Sequence, residues 1–155
     1  MVRYSIFLIA LLIFLVYICG IYKVPKDFTI IQTSLINLKD DLILEKNPIV
    51  ISDAIVDCTQ VTQTVFTYLY VYQTKNPIIK KTNQYNYLLI RSKDYSEILI
   101  QHPKSNLQSL IKLHLGNVLI LPWGWKYLII KKNVQIIGLH TLSSLIATSI
   151  FPLYS

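Results

Sequence analysis

The stretch GNVLILPWGWKYLII, which runs from Gly116 to Ile130, decides the fold. Its two flanks are apolar enough to be strands, but Pro122, Trp123, Gly124 and Trp125 interrupt them. Proline removes a hydrogen-bond donor from a sheet, and glycine accepts backbone angles that other residues resist. The break therefore predicts a corner, at which the chain leaves one strand of a β sandwich and enters the next.

Short apolar segments on both sides of this stretch also have the composition of strands. They are PIVISDAIVD, YNYLLIRS, SEILIQHP, SLIKLHL and VQIIGL, with turn-forming or charged residues between them. Many short strands and little helix predict a mainly β chain, folded as a sandwich or barrel. Between Thr29 and Leu44 the apolar spacing fits neither period cleanly, and we predict a strand followed by a short helix that starts near Asn37.

The C-terminal segment TLSSLIATSIF changes character and predicts a helix behind a cap at Thr141. Its apolar residues spaced for one helical face are Leu142, Leu145, Ile146 and Ile150. Because no charged residue follows Asn133, a second membrane span over 134–152 is the alternative. Burying His140 and several hydroxyl groups in lipid would be costly, which favours a helix packed on protein.

The N-terminal segment is apolar enough to lie in lipid. From Tyr4 to Tyr22 it carries no charge, and a helix of this length would span about 28 Å. A cleaved signal peptide is the alternative, but Tyr17 and Ile18 are bulky where a cleavage site needs small residues. We predict a short tail over 1–3, a transmembrane helix over 4–22, a linker over 23–28 and a β domain over 29–155.

The net charge indicates which partners to expect, and the cysteines indicate whether a disulfide can form. The net charge is +7 and is spread in short pairs such as Lys80-Lys81 and Lys131-Lys132. This pattern is typical of solvated faces, or of mild attraction to an anionic membrane surface, and we expect no nucleic-acid partner. With Cys19 in the predicted span, Cys58 has no partner for a disulfide within the β domain.

One segment has a clear period of two. In TVFTYLYVYQT the aromatic residues Phe66, Tyr68, Tyr70 and Tyr72 alternate with smaller ones, so one sheet face would be aromatic. Such a face, with Trp123, is a candidate binding surface for sugar, nucleic acid or protein. The alternative is that these aromatic residues pack against neighbouring strands within the sheet. For Trp123 and Trp125, the alternative is that one covers the core and the other covers a sheet edge.

The residues of the central stretch also carry a resemblance. The order of Gly116, Pro122, Gly124, Trp125 and Tyr127 resembles the second conserved motif of cupins, in the form found in JmjC-like members. The segment LEKNPIVISDAIVD is similar to the opening of the same families. The resemblance covers these two segments and implies a double-stranded β-helix. In the enzymes, a His-x-Asp/Glu pair and a later histidine hold Fe(II), and 2-oxoglutarate is the cosubstrate.

The chain departs from this pattern at the ligands. The later histidine falls on Tyr127, and neither His102 nor His114 has a carboxylate two residues further on. Without the facial triad, iron-dependent oxygenation loses its chemical basis. His102, His114 and His140 could in principle bind zinc, but three scattered histidines are more often structural or exposed residues. We therefore predict no catalytic site, no metal and no cofactor.

These observations predict a membrane-anchored, cupin-like β domain that acts as a structural or interaction protein. We expect as partners the lipid bilayer and either another protein or further copies of the chain. One alternative is a divergent oxygenase or other cupin enzyme whose histidines meet Asp94 or Glu97. Another is a sugar- or nucleic-acid-binding module. The abundance of Ile, Lys, Asn and Tyr resembles accessory membrane proteins of large DNA viruses, which implies a virion or a host endomembrane as the location.

Overall fold

The computed structural model describes residues 2–21, 23–52, 61, 71–75, 82–130 and 133–141. It begins with α1, Val2–Ile21, and a second short helix, α2, spans Asp40–Leu44. No helix among the described residues meets the length and hydropathy that a membrane span requires.

The described residues also form nine strands. They are β1 Ile31–Thr33, β2 Ile49–Ile51, β3 Val71–Lys75, β4 Tyr87–Ser92, β5 Ser96–Gln101, β6 Gln108–Leu113, β7 Val118–Pro122, β8 Lys126–Ile129 and β9 Val134–Thr141. A large sheet has the order β1-β2-β7-β4-β9-β3, and a small sheet has the order β6-β5-β8. Apart from the parallel pair β1 and β2, all neighbouring strands are antiparallel.

The large sheet is buried on both faces, which explains why β7 is apolar at every position. One face packs on the small sheet through a core that includes Leu88, Leu119 and Ile100. The opposite face is covered by a core that includes Ile43 of α2 and the isolated described residue Val61. A strand buried on both faces needs a continuous apolar run instead of alternation, as VLILP of β7 has.

The mainly β architecture with many short strands is therefore confirmed, as is the strand and short helix between Thr29 and Leu44. The alternative of a second membrane span over 134–152, which the sequence disfavours, does not hold for a helix in its first part, because 134–141 form β9, between β4 and β3. The predicted C-terminal helix lies in residues 142–155, outside the described residues.

Candidate functional site

The Pro-Trp-Gly-Trp segment forms the turn between β7 and β8, and therefore takes the chain from the large sheet to the small one. Gly124 has φ +84°, a left-handed conformation that other residues adopt at a cost. The side chain of Asn83 donates hydrogen bonds from Nδ2 to the carbonyl oxygens of Leu121 (2.8 Å) and Pro122 (2.9 Å). The backbone N–H of Asn83 donates to the carbonyl oxygen of Trp125, at 2.8 Å. A buried asparagine from another part of the chain, Asn83, therefore stabilises the turn through hydrogen bonds to its backbone.

Trp125 connects this turn with three other parts of the chain. Its side chain has no exposed surface, and its ring lies 5.7 Å from that of Phe28 and 5.2 Å from that of His102 between centroids. Its indole Nε1 donates a hydrogen bond to the carbonyl oxygen of Lys46, at 3.2 Å. The other tryptophan of the turn, Trp123, is half-buried. Trp125 therefore lies in the core, and of the pair only Trp123 reaches the surface.

His102 binds the segment that follows α1 to the β domain. Its Nδ1 accepts hydrogen bonds from the backbone N–H groups of Lys104 (3.3 Å) and Ser105 (3.2 Å), so Nε2 carries the proton. Nε2 then donates to the carbonyl oxygen of Pro25, at 3.1 Å. Pro25 is buried, and Phe28 packs edge-on against the His102 ring. We call the segment Pro25–Phe28 the strap.

The histidines do not converge on a metal site. His102 uses both ring nitrogens on backbone groups, His114 is exposed with its ring 5.7 Å from that of Tyr95, and the His140 ring lies 4.6 Å from that of Tyr85. Among the described residues, no group of three His, Cys, Asp or Glu side chains could hold a metal ion. Tyr127, at the place where the resemblance puts a histidine, is buried in the core between the sheets.

Tyr85 covers a glycine on the inner face of the large sheet. A Cβ atom at Gly138 would overlap the Tyr85 ring, and the same ring contacts His140. Burial raises the pKa of Tyr85 and lowers the pKa of His140, so both side chains favour their neutral forms. Aromatic rings therefore fill this part of the space between the sheets.

Lys46 is a buried amine that sequence reasoning missed. It has φ +61°, and its Nζ donates a hydrogen bond to the hydroxyl of Tyr87, which in turn donates to the carbonyl oxygen of Ile43 at 3.3 Å. Burial lowers the pKa of Lys46 to about 8. The amine lies in the packed core without a carboxylate among its described hydrogen-bond partners. No local sequence pattern signals a lysine of this kind.

Most of the candidate aromatic surface lies outside the described residues. Phe66, Tyr68 and Tyr70 lie outside the described residues, and of Tyr72 the structure describes the backbone, which pairs in β3 with His140 of β9. The binding surface predicted from these residues remains a prediction.

The outer face of the small sheet carries an apolar surface that sequence reasoning also missed. Leu99 of β5 pairs with Leu110 of β6 on one side and with Leu128 of β8 on the other. Leu110 is 44% exposed and Leu128 is 53% exposed. We call these three residues the leucine row. Beside it, a shallow depression of about 150 Å³ is lined in part by Gln101 and Lys126.

Comparison with known proteins adds no relative. No family model, no curated protein and no solved structure matches the chain.

Proposed function

We propose that the chain is a membrane-anchored interaction protein, built on a double-stranded β-helix scaffold and without catalytic chemistry of its own. The observation that carries the proposal is the leucine row, three apolar side chains lying side by side on the solvent face of a sheet whose other face is fully packed. Apolar side chains grouped on a surface are typical of sites that bind another protein.

The order of the strands supports the scaffold. From β4 onward the chain passes from the large sheet to β5 and β6 of the small sheet, returns in β7, crosses to β8 and returns in β9. Antiparallel strands exchanged in this way between two facing sheets are typical of jelly rolls and cupins. An isolated bridge between Thr82 and Lys126 brings the chain beside β8 immediately before β4 begins. The residues that carry the cupin resemblance lie before β7 (Gly116), at its end (Pro122), in the turn that follows (Gly124 and Trp125) and in β8 (Tyr127).

The contacts of the histidines and of Tyr127 support a domain without oxygenase activity. A facial triad needs two imidazole nitrogens and a carboxylate with free lone pairs that point to one centre. His102 has no ring nitrogen left for a metal, because one accepts from two backbone N–H groups and the other donates to Pro25. Tyr127, which stands where the resemblance puts the later histidine, is 4% exposed and lies in the core between the sheets.

The exposure of α1 supports a lipid anchor. Its large apolar side chains from Tyr4 to Val16 are between 40% and 78% exposed, and they surround the helix on all sides. A helix that is apolar all round is stable when it is buried in protein or in lipid. The proposal of an anchor rests on this exposure and on the absence of charged residues from Tyr4 to Tyr22 in the sequence.

The leucine row gives the proposal a direct test. A photo-crosslinking amino acid is placed at Leu110 in the full chain and activated in membranes that contain the protein. Ile36, which is 93% exposed in another part of the β domain, is the matched control position. We expect a discrete crosslinked product from position 110, either with a second copy of the chain or with another protein, and none from position 36. Equal products from both positions, or none from position 110, would contradict the proposal.

A further inference from the structure

The strap fixes which end of the β domain lies next to α1. Ile21 ends the helix, and Pro25 is already buried and hydrogen-bonded to His102. Four residues extend about 14 Å at most, so the loop between β5 and β6 must lie within that distance of the end of α1. If α1 lies in a bilayer, this loop lies at the level of the lipid headgroups.

The same end of the β domain carries exposed basic side chains. Lys23 and Lys26 flank Pro25, Lys104 lies in the loop bonded to His102, and Lys126 begins β8 opposite Gln101. Among the described residues, the strap itself contributes one carboxylate, that of Asp27. Juxtamembrane lysines attract anionic lipid, so these four lysines favour an anionic headgroup layer, with Asp27 opposing them.

Two further side chains at this end suit the interface between water and lipid. Leu107, in the same loop as Lys104, is 57% exposed. Trp123 is half-buried on the neighbouring turn, and tryptophan is enriched at the headgroup level of membranes. An apolar tip with lysines around it can insert shallowly while its charges stay at the headgroups.

We propose that this end of the β domain, formed by the strap and by the loop between β5 and β6, rests on the membrane. There it binds anionic phospholipid headgroups through Lys104 and Lys126. The proposal rests on the lipid anchor proposed above. Contact between this end and the lipid fixes the orientation of the β domain. The outer face of the small sheet, with the leucine row, is then not covered by the membrane and remains open to a partner.

Leu115 provides a matched control for Leu107. It is 62% exposed and follows β6, whereas Leu107 precedes that strand. Gln108 at the start of β6 pairs with Gln101, and Leu113 at its end pairs with Ser96, so the two leucines lie at opposite ends of the small sheet. They have the same chemistry and similar exposure.

Depth-dependent fluorescence quenching tests the proposal on the full chain. Cys19 and Cys58 are replaced by serine, one cysteine is introduced at position 107, 115 or 12, and each is labelled with the same fluorophore. The chain is reconstituted into vesicles of phosphatidylcholine and phosphatidylserine, roughly two to one, that contain lipids with a quencher at a known depth. We expect several-fold more quenching by shallow quenchers at position 107 than at position 115, and quenching by deep quenchers at position 12.

The outcomes separate the two proposals. Absence of deep quenching at position 12 would contradict the lipid anchor. Deep quenching at position 12 with equal quenching at 107 and 115 would overturn the orientation alone, as would a label at position 107 that is shielded from water but not quenched by lipid. We expect K104E and K126E together to lower the quenching at position 107 several-fold, and K93E and K112E, at the opposite end, to leave it unchanged. Equal quenching in vesicles of phosphatidylcholine alone would overturn the preference for anionic lipid.

Discussion

The imidazole of His102 donates a hydrogen bond to the carbonyl oxygen of Pro25, at 3.1 Å and across 77 residues of sequence. The contact binds the chain that leaves α1 to the loop between β5 and β6. His102, the most buried histidine of the described residues, therefore has a structural role, because both of its ring nitrogens are hydrogen-bonded to backbone groups.

Replacing His102 should therefore loosen the strap. H102L removes three hydrogen bonds, and at about 1 kcal/mol each we expect the free energy of unfolding to fall by about 3 kcal/mol. We also expect faster amide hydrogen exchange in residues 23–28. Both quantities can be measured on the full chain in detergent, by chemical denaturation and by mass spectrometry. H114L, at an exposed histidine, is the control and should change stability by less than about 0.5 kcal/mol. Equal effects of H102L and H114L would contradict the role of the strap.

Lys46 should make stability depend on pH. Its pKa is lowered by burial from 10.5 in the unfolded chain to about 8 in the folded protein, so the folded state prefers the neutral amine. Stability from this group is therefore complete above the unfolded pKa and decreases as the pH falls toward 8. Between about pH 9.5 and about pH 7.5 we expect a loss of about 2 kcal/mol.

The variant K46M should remove this dependence, because methionine does not titrate, while K93M at an exposed lysine should retain it. The measurement is urea unfolding at both pH values, and the comparison with K93M accounts for the titration of the other side chains. If the free energy of unfolding changes equally with pH in K46M and in the unsubstituted chain, Lys46 is not the group responsible.

Gly138 and Tyr85 should be coupled energetically. A Cβ at Gly138 overlaps the Tyr85 ring, so G138A must displace the ring from its contact with His140. We expect a cost of about 1 to 3 kcal/mol, as is usual for overpacking. In a Y85A background the same substitution meets no ring and should be nearly neutral. A double-mutant cycle from denaturant unfolding measures the coupling, and additive effects of the two changes would contradict the packing described.

The strands could be predicted from local patterns, but their contacts could not. The corner at Pro122 and Gly124 was predicted because those residues have backbone preferences that do not depend on the rest of the fold. The hydrogen bond from Trp125 to Lys46 joins residues 79 apart, and nothing in the local sequence at Lys46 signals it. The leucine row was missed because SEILIQ and KYLI read as generally apolar, and only the register of three strands places their outward leucines side by side.

The absence of a catalytic metal is the central claim, and metal binding tests it most directly. The purified full chain in detergent, shown by near-ultraviolet circular dichroism to be folded, is exposed anaerobically to Fe(II), Mn(II) and Zn(II), dialysed, and assayed for bound metal and for binding of 2-oxoglutarate. We predict metal far below one equivalent and no cosubstrate binding. Near-stoichiometric metal that is lost in H102A, H114A or H140A would contradict the account and make the chain an enzyme candidate.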